Sequence, residues 1–289
     1  MRAYDARGRD PVFKVVTNGL LVLSLILVLF PFLYVVMTSF APREEILTRG
    51  FFIIPHDFTL NAYGFLMSSV QFVTAFKNAV IITVFGTIVN MMLTSLMAYG
   101  LSKTWLKGRR VLNFMVLFTM LFSGGIIPTY LVVKSLHLIN SFWSLFLTGA
   151  IAPFHLIVLR SFFQNIPQEL EESARIDGCG ELRLFWRIIL PLSLPAIATF
   201  TLFYAVQNWN SYFNAVLYLN DSDKWPLQVF LRQMMNETNN SLESMTTEFQ
   251  YSPAVKMAAI VLTALPLLAV YPFLQKYFNK GMLMGSVKG

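Results

Sequence analysis

Charge is scarce in this sequence: 13% of its 289 residues are Asp, Glu, Lys or Arg, against 56% hydrophobic. A soluble domain carries roughly a quarter charged residues. That scarcity excludes a water-soluble globule, which could not hide so much apolar surface. Cysteine is nearly absent. The single Cys179 excludes an internal disulfide and reads as a reduced thiol in a segment assigned below to the cytoplasm. Only three histidines occur, His56, His137 and His155, with no H-E-x-x-H pair, and there is no G-x-x-x-x-G-K-[ST] phosphate loop. No catalytic, cofactor-binding or metal-binding residue is expected, and any nucleotide must be handled by another polypeptide.

Long apolar runs are present instead. Bilayer hydrocarbon is about 30 Å thick and a helix rises about 1.5 Å per residue, so roughly 20 apolar residues suffice to cross it. Windows at 15–39, 75–101, 111–133, 142–163, 192–219 and 255–275 qualify. The fold class expected is all-α, a polytopic membrane protein with six transmembrane helices. The run from Val15 to Met37 follows a basic start of Arg2, Arg7, Arg9 and Lys14, as in a signal peptide, but it is too long and lacks an A-x-A site. It is expected to be a retained helix kinked at Pro31.

The +7 net charge and pI near 9.5 could suggest nucleic acid, yet the basic residues are spread through short connections, which membrane orientation explains better. Nucleic acid is therefore not an expected partner; membrane lipid is. One set of connections and termini holds fifteen of the 22 Lys and Arg, including Lys103, Lys107, Arg109, Arg110, Arg160, Arg175, Arg183 and Arg187. The other holds seven: Arg43, Arg49, Lys77, Lys134, Lys224, Arg232 and Lys256. The acidic residues divide almost evenly, so the bias places both termini in the cytoplasm. The outer connections become 40–74, 134–141 and 220–254, and the inner ones 102–110 and 164–191. Within 220–254, the stretch from Asn236 to Glu248 has too few apolar residues for a core of its own and is expected to be flexible or ordered by a partner. Its Asn236-Glu237-Thr238 is a weak glycosylation pattern.

The inner segment Ile166-Pro-Gln-Glu-Leu-Glu-Glu-Ser-Ala-Arg-Ile-Asp-Gly178 predicts a short helix and a stop. Pro167 suits a first turn, Glu169, Glu171 and Glu172 place negative charge near the positive helix end, and Asp177-Gly178 tolerates a left-handed turn. A second amphipathic helix follows, with Leu182, Phe185, Trp186 and Ile189 on a packing face and Arg183 and Arg187 on another. Pro191 and Pro195 restrict the backbone where the chain re-enters the membrane.

These residues resemble the permease subunits of binding-protein-dependent ATP-binding-cassette importers of the type I class. The family signature of Glu-Ala-Ala, a Gly and a later Ile-x-Leu-Pro is matched by Glu172-Ser173-Ala174, Asp177-Gly178 and Ile188-Ile189-Leu190-Pro191, with Phe185 and Pro195 also fitting. Ser173 stands where Ala is usual, and Cys179 takes another small-residue position. The resemblance covers about 70–280, and Asn-Trp-Asn at 208–210 with the tail 281–289 looks like the maltose-type oligosaccharide permeases. It implies a cytoplasmic segment 1–14, a first helix and outer loop over 15–69, a permease core over 70–280 and a cytoplasmic tail over 281–289. It also implies that Glu169, Glu171, Glu172, Ser173, Ala174, Arg175, Asp177 and Gly178 couple to an ATPase subunit. The implied partners are a second permease, two ATP-binding-cassette subunits that bind ATP-Mg, and an extracytoplasmic solute-binding protein facing 220–254. The implied cargo is a carbohydrate, and the implied location is the bacterial inner membrane.

The fifth span gathers Gln207, Asn208, Trp209, Asn210, Tyr212 and Asn214 where lipid-facing residues would be expected. Buried amides need hydrogen bonds. Either they line a sugar pathway, with aromatic rings stacking on sugar faces, or they bond one helix to another. Ser123-Gly124-Gly125 and Pro128 interrupt the third span, as a bend or as a packing notch. His155 reads as a satisfied interior residue. An ion-coupled transporter would need ionisable groups in the spans, and none of the six contains Asp or Glu. An intramembrane protease lacks a base beside a nucleophile.

Overall fold

The structure, a computed structural model, describes residues 11–236 and 252–286, with side chains over 13–236 and 252–270. The basic start at Arg2, Arg7 and Arg9, the stretch 237–251, the side chains of Lys276 and Lys280 and the end of the tail lie outside the described residues.

Among the described residues every regular element is helical. In chain order these are α1 (Pro11–Ser39), α2 (Arg43–Arg49), α3 (Asn61–Ser68), α4 (Val70–Ser102), α5 (Arg109–Leu121), α6 (Ile126–Ser135), α7 (Phe142–Thr148) and α8 (Pro153–Gln164). There follow α9 (Gln168–Ile176), α10 (Glu181–Leu184), a π-helical turn over Phe185–Ile189, α11 (Leu190–Leu192), α12 (Leu194–Trp209), α13 (Phe213–Tyr218), α14 (Leu227–Asn236) and α15 (Pro253–Ser286). Three stretches are continuous helices long and apolar enough to cross a membrane: Phe13–Ser39, Val70–Ser102 and Pro253–Val270. Three more are bent pairs, α5 with α6 by 119°, α7 with α8 by 57°, and Glu181–Leu192 with α12 by 86°. Counting each bent pair as one, there are up to six spans among the described residues, half of them broken. The head of 220–254 is more regular than expected, because Leu227–Asn236 is helical.

The chain divides into two compact units. One runs to Ser69 and adds Gln233–Ala264. Here α1 is apolar and exposed from Gly19 to Leu33, half-buried over Tyr34–Met37 and buried at Thr38 and Ser39. Its end is tied by Ser39 Oγ, which lies 2.6 Å from Tyr63 Oη. The α2 segment is held by Glu45, which takes Arg49 at 2.5 Å and the backbone N–H of His56 at 3.0 Å on both oxygens. Burial alone would raise this carboxyl, but the His56 N–H and Arg49 outweigh it and hold it below its ordinary value.

The other unit comprises Val70–Arg232 and Leu265 onward. Its axis is α4, packed against α7, α8 and α12. Asn78, Ile82, Gly86, Asn90, Thr94 and Ala98 recur every fourth residue and are all buried. Small side chains at this spacing let neighbouring helices approach closely. Gly86 shows how closely: an added Cβ would lie 2.8 Å from Asn208 Nδ2.

A broken helix inside a membrane needs partners for its freed backbone groups, and α4 supplies them. Asn90 Nδ2 donates to the carbonyls of Gly149 and Ala150, each at 3.2 Å, in the break between α7 and α8. Tyr204 Oη accepts the Ala152 N–H at 2.9 Å and shares a proton with Thr94 Oγ1 at 2.7 Å. Asn78 Nδ2 donates to the carbonyls of Asp223 and Trp225 at 2.7 and 3.1 Å. In the third span Gly125 has φ +84, and a Cβ at Gly124 would meet nothing within 4 Å. The Ser123–Gly125 interruption coincides with the 119° bend between α5 and α6.

Candidate functional site

The 164–191 segment folds as a short helix, a stop and a second helix. Helix α9 begins after Pro167, with Glu169 and Glu171 in its first turn. It ends in the double bond pattern of a Schellman motif: Cys179 N–H donates to Ala174 O at 2.9 Å and Gly178 N–H to Arg175 O at 3.0 Å. Gly178 sits at φ +78, where other residues are strained.

Helical periodicity gives α9 two faces. On one, Glu171 takes Lys103 Nζ at 2.5 Å, with both side chains largely buried. Arg175 bonds Glu181 at 2.8 Å, and Glu181 also accepts the Tyr99 hydroxyl at 2.6 Å. Ala174 joins a core of Tyr99, Leu159, Phe163, Leu184, Phe185 and Ile189. On the other face Glu169, Glu172, Ser173 and Ile176 are exposed, and Asp177 and Gly178 follow them. Of the eight residues expected to couple, Glu171, Ala174 and Arg175 thus fix the loop to its own scaffold, and the other five face outward.

The second helix corrects one expectation. Phe185 and Ile189 pack, but Leu182 and Trp186 are 71% and 57% exposed, and Leu184 is buried in their place. The π-helical turn over Phe185–Ile189 is the reason, since it adds a residue to the turn and shifts the register of the packed face. With Ile176 at 86% exposure, the loop exposes the apolar side chains of Ile176, Leu182 and Trp186 as well as the carboxylates of Glu169, Glu172 and Asp177. A polar recess of about 290 Å³ lies at the root of α9, lined among others by Lys103, Arg109, Gln168, Glu171 and Arg175.

The fifth-span cluster also separates. Asn208 Nδ2 donates to Asn90 Oδ1 at 2.9 Å and to Thr87 Oγ1 at 3.3 Å. Trp209 is buried edge-to-face on Phe76 at 5.8 Å. Trp209 is thus packed inside this chain, while Asn208 is half-buried with its amide engaged by α4. Gln207, Asn210, Tyr212 and Asn214 are exposed. Asn210 accepts from Gln228 at 3.1 Å. A recess of about 190 Å³ joins Asn214 and Phe213 to Ser123, Gly125 and Thr129 at the α5–α6 bend. His155 is enclosed by Phe200, Phe203 and Tyr204 at ring distances of 4.7 to 5.6 Å, an interior residue whose Nδ1 has no hydrogen-bond partner.

The residues missed by sequence reasoning are the anchors: Lys103, Tyr99 and Glu181 around the loop, and Asn78, Asn90 and Thr94 on α4. The fourfold spacing of small and amide residues along α4 was the available signal for the second group. No group of three or more metal-ligating side chains exists among the described residues.

Residues 92–284 match the model of the binding-protein-dependent transport system inner membrane component. Polygalacturonan/rhamnogalacturonan transport system permease protein YtcP of Bacillus subtilis (strain 168) is 51% identical, over 97% of this chain and 100% of that one. Protein LplC of the same organism is 53% identical over 90% of each. A crystal structure of a bacterial ABC transporter involved in the import of the acidic polysaccharide alginate contains a chain of TM-score 0.88 and 34% identity, covering 93% of this chain and 97% of that chain.

Proposed function

Because this chain belongs to the binding-protein-dependent transport system inner membrane components, a family of multi-pass permease subunits, we propose that its cargo is an oligosaccharide bearing uronate groups, handed over by an extracytoplasmic binding protein. The observation that carries this reading is the agreement between a half-identical relative named for polygalacturonan and rhamnogalacturonan and a structural neighbour named for alginate import, since all three polymers contain uronates. The chain makes and breaks no bonds itself. Energy enters through its 164–191 loop, which docks on one of two ATPase subunits that hold ATP-Mg, while a second permease completes the pathway.

The loop is built for that role. Its inner face is locked to α4 by buried Lys103–Glu171 and by Tyr99–Glu181–Arg175, so a push on the outer face moves α4 as a body. Its outer edge offers Ile176 and Leu182 to an apolar cleft and Glu169, Glu172 and Asp177 to basic side chains. This arrangement requires residues 164–191 and both termini to be cytoplasmic, as the fifteen-to-seven division of Lys and Arg indicates. The pathway side is assigned to the exposed Gln207, Asn210, Tyr212 and Asn214, whose amides and ring suit sugar hydroxyls and ring faces.

The test is the complete importer reconstituted in liposomes with its binding protein. Oligogalacturonides are expected to stimulate ATP hydrolysis and uptake several-fold over neutral arabino- or chito-oligosaccharides; equal or greater stimulation by the neutral sugars overturns the cargo assignment. Glu172→Ala is expected to leave hydrolysis running without proportional uptake, and normal accumulation by that variant overturns the docking assignment.

A further inference from the structure

Three arginines meet where α5 begins and α8 ends. Arg109, Arg110 and Arg160 line a recess of about 460 Å³ together with Asn113, Phe114 and Leu117. None of the three forms an ion pair with a described residue. Arg109 Nε donates to Leu101 O at 3.0 Å, and Arg160 Nη1 donates to Asn113 Oδ1. Arg160 Nε is buried and has no acceptor. Two of the arginines also occupy the first turn of α5, which contains no acidic residue and has no side-chain cap, although cations are disfavoured at that positive end. Such a basic, uncapped first turn suits an anionic partner.

The surroundings identify the kind of anion. Only Val116 of α5 is buried. Beyond the arginines Phe114, Leu117, Phe118 and Leu121 are all exposed, an apolar track leading from the charged recess along the helix. Trp105, also exposed, precedes it, and tryptophan favours the headgroup level of a bilayer. A small soluble anion would use only the guanidinium groups, whereas a lipid uses the track as well. Basic pockets between helices on the cytoplasmic side are suited to anionic headgroups.

We infer that this recess binds the phosphate headgroup of an anionic phospholipid of the inner leaflet. Arg110 and Arg160 face the phosphate, and an acyl chain lies over Phe114 and Leu117. The inference takes from the proposed function only its orientation, and is independent of the cargo.

The experiment uses the complete importer. Native mass spectrometry measures the phosphatidylglycerol retained after detergent purification, and thermal unfolding is followed in phosphatidylcholine nanodiscs with and without phosphatidylglycerol. Wild type is expected to retain phosphatidylglycerol and to unfold at a higher temperature with it. Arg110→Gln, an exposed position without an ion pair, should lower retention at least twofold, and Arg110→Gln with Arg160→Gln at least fivefold. Equal retention by wild type and both variants overturns the site. So does an equal thermal shift from inorganic phosphate in pure phosphatidylcholine, which would mark a free-anion site, or a cross-link showing a partner subunit's carboxylate on Arg110. A Lys107→Cys variant labelled from outside whole cells by a membrane-impermeant maleimide overturns the orientation as well; an unlabelled cysteine with unchanged retention overturns the lipid site alone.

Discussion

The 164–191 loop and the 207–214 stretch are both polar segments in an apolar chain, and each turns some of its polar groups inward and leaves others exposed. In the loop the inward pair is of full charges, Glu171 with Lys103, flanked by the exposed pair Arg175–Glu181 to which Tyr99 donates. In the fifth span the inward group is a neutral amide, Asn208, which bonds Asn90 while Asn90 caps a broken helix. Charges suffice where water is near; amides are what a helix can carry through hydrocarbon, because an unpaired charge there is far more costly. In both places exposed groups remain, such as Glu169 and Glu172 in the loop and Gln207 and Asn214 in the span.

The sharpest break of this comparison is Lys103→Met, which leaves the largely buried Glu171 with only the longer 3.8 Å contact to Arg175. The expected loss is about 3 kcal/mol of stability, read as a lowered thermal midpoint of the purified complex, and Lys103→Met with Glu171→Met should recover most of it. A midpoint that does not recover would show that the pair is not the anchor. Next, Asn208→Ala leaves Asn90 Oδ1 unsatisfied and should cost about 1–3 kcal/mol. Gln207→Ala, by contrast, should leave the midpoint unchanged and lower only uptake, and both are read from unfolding and transport side by side. Gly178→Ala forces a side chain into the left-handed region and should cost about 1–2 kcal/mol, seen as faster amide exchange across 176–180.

The smallest effect is a pH response in the other compact unit, at Glu45. Glu45 has a depressed value in the folded chain, so its contribution is fully present above the ordinary carboxylate range and vanishes as pH falls through that lower folded value. Exchange of the His56 amide, corrected for its intrinsic rate, should rise over that acidic window in wild type and show no such step in Glu45→Gln.

Much of this was legible in the sequence. Six spans, the Asp177-Gly178 stop and the acidic first turn of α9 follow from run length and capping grammar, which are local. The breaks at 122–125 and 149–152 were only half visible: Gly124-Gly125 announces the first, but nothing near Gly149 says that Asn90 will cap it from 59 residues away. The packed face of the second loop helix was misread because an ideal 3.6 period was applied across a π-helical turn, exchanging Leu184 for Leu182 and Trp186. The inner and outer faces of α9 could have been drawn from periodicity alone, but which face is inner depends on Lys103 and Glu181, which reach it from separate parts of the chain.

The central claim is that the exposed edge of the loop, and not its buried charges, meets the ATPase. Ile176→Asp with Leu182→Asp tests it directly, because neither side chain contributes to the core of this chain. The account predicts an unchanged thermal midpoint for the permease pair, with at least tenfold less ATPase subunit co-purifying and no uptake driven by the binding protein. Full ATPase recovery with normal uptake in that variant would contradict it.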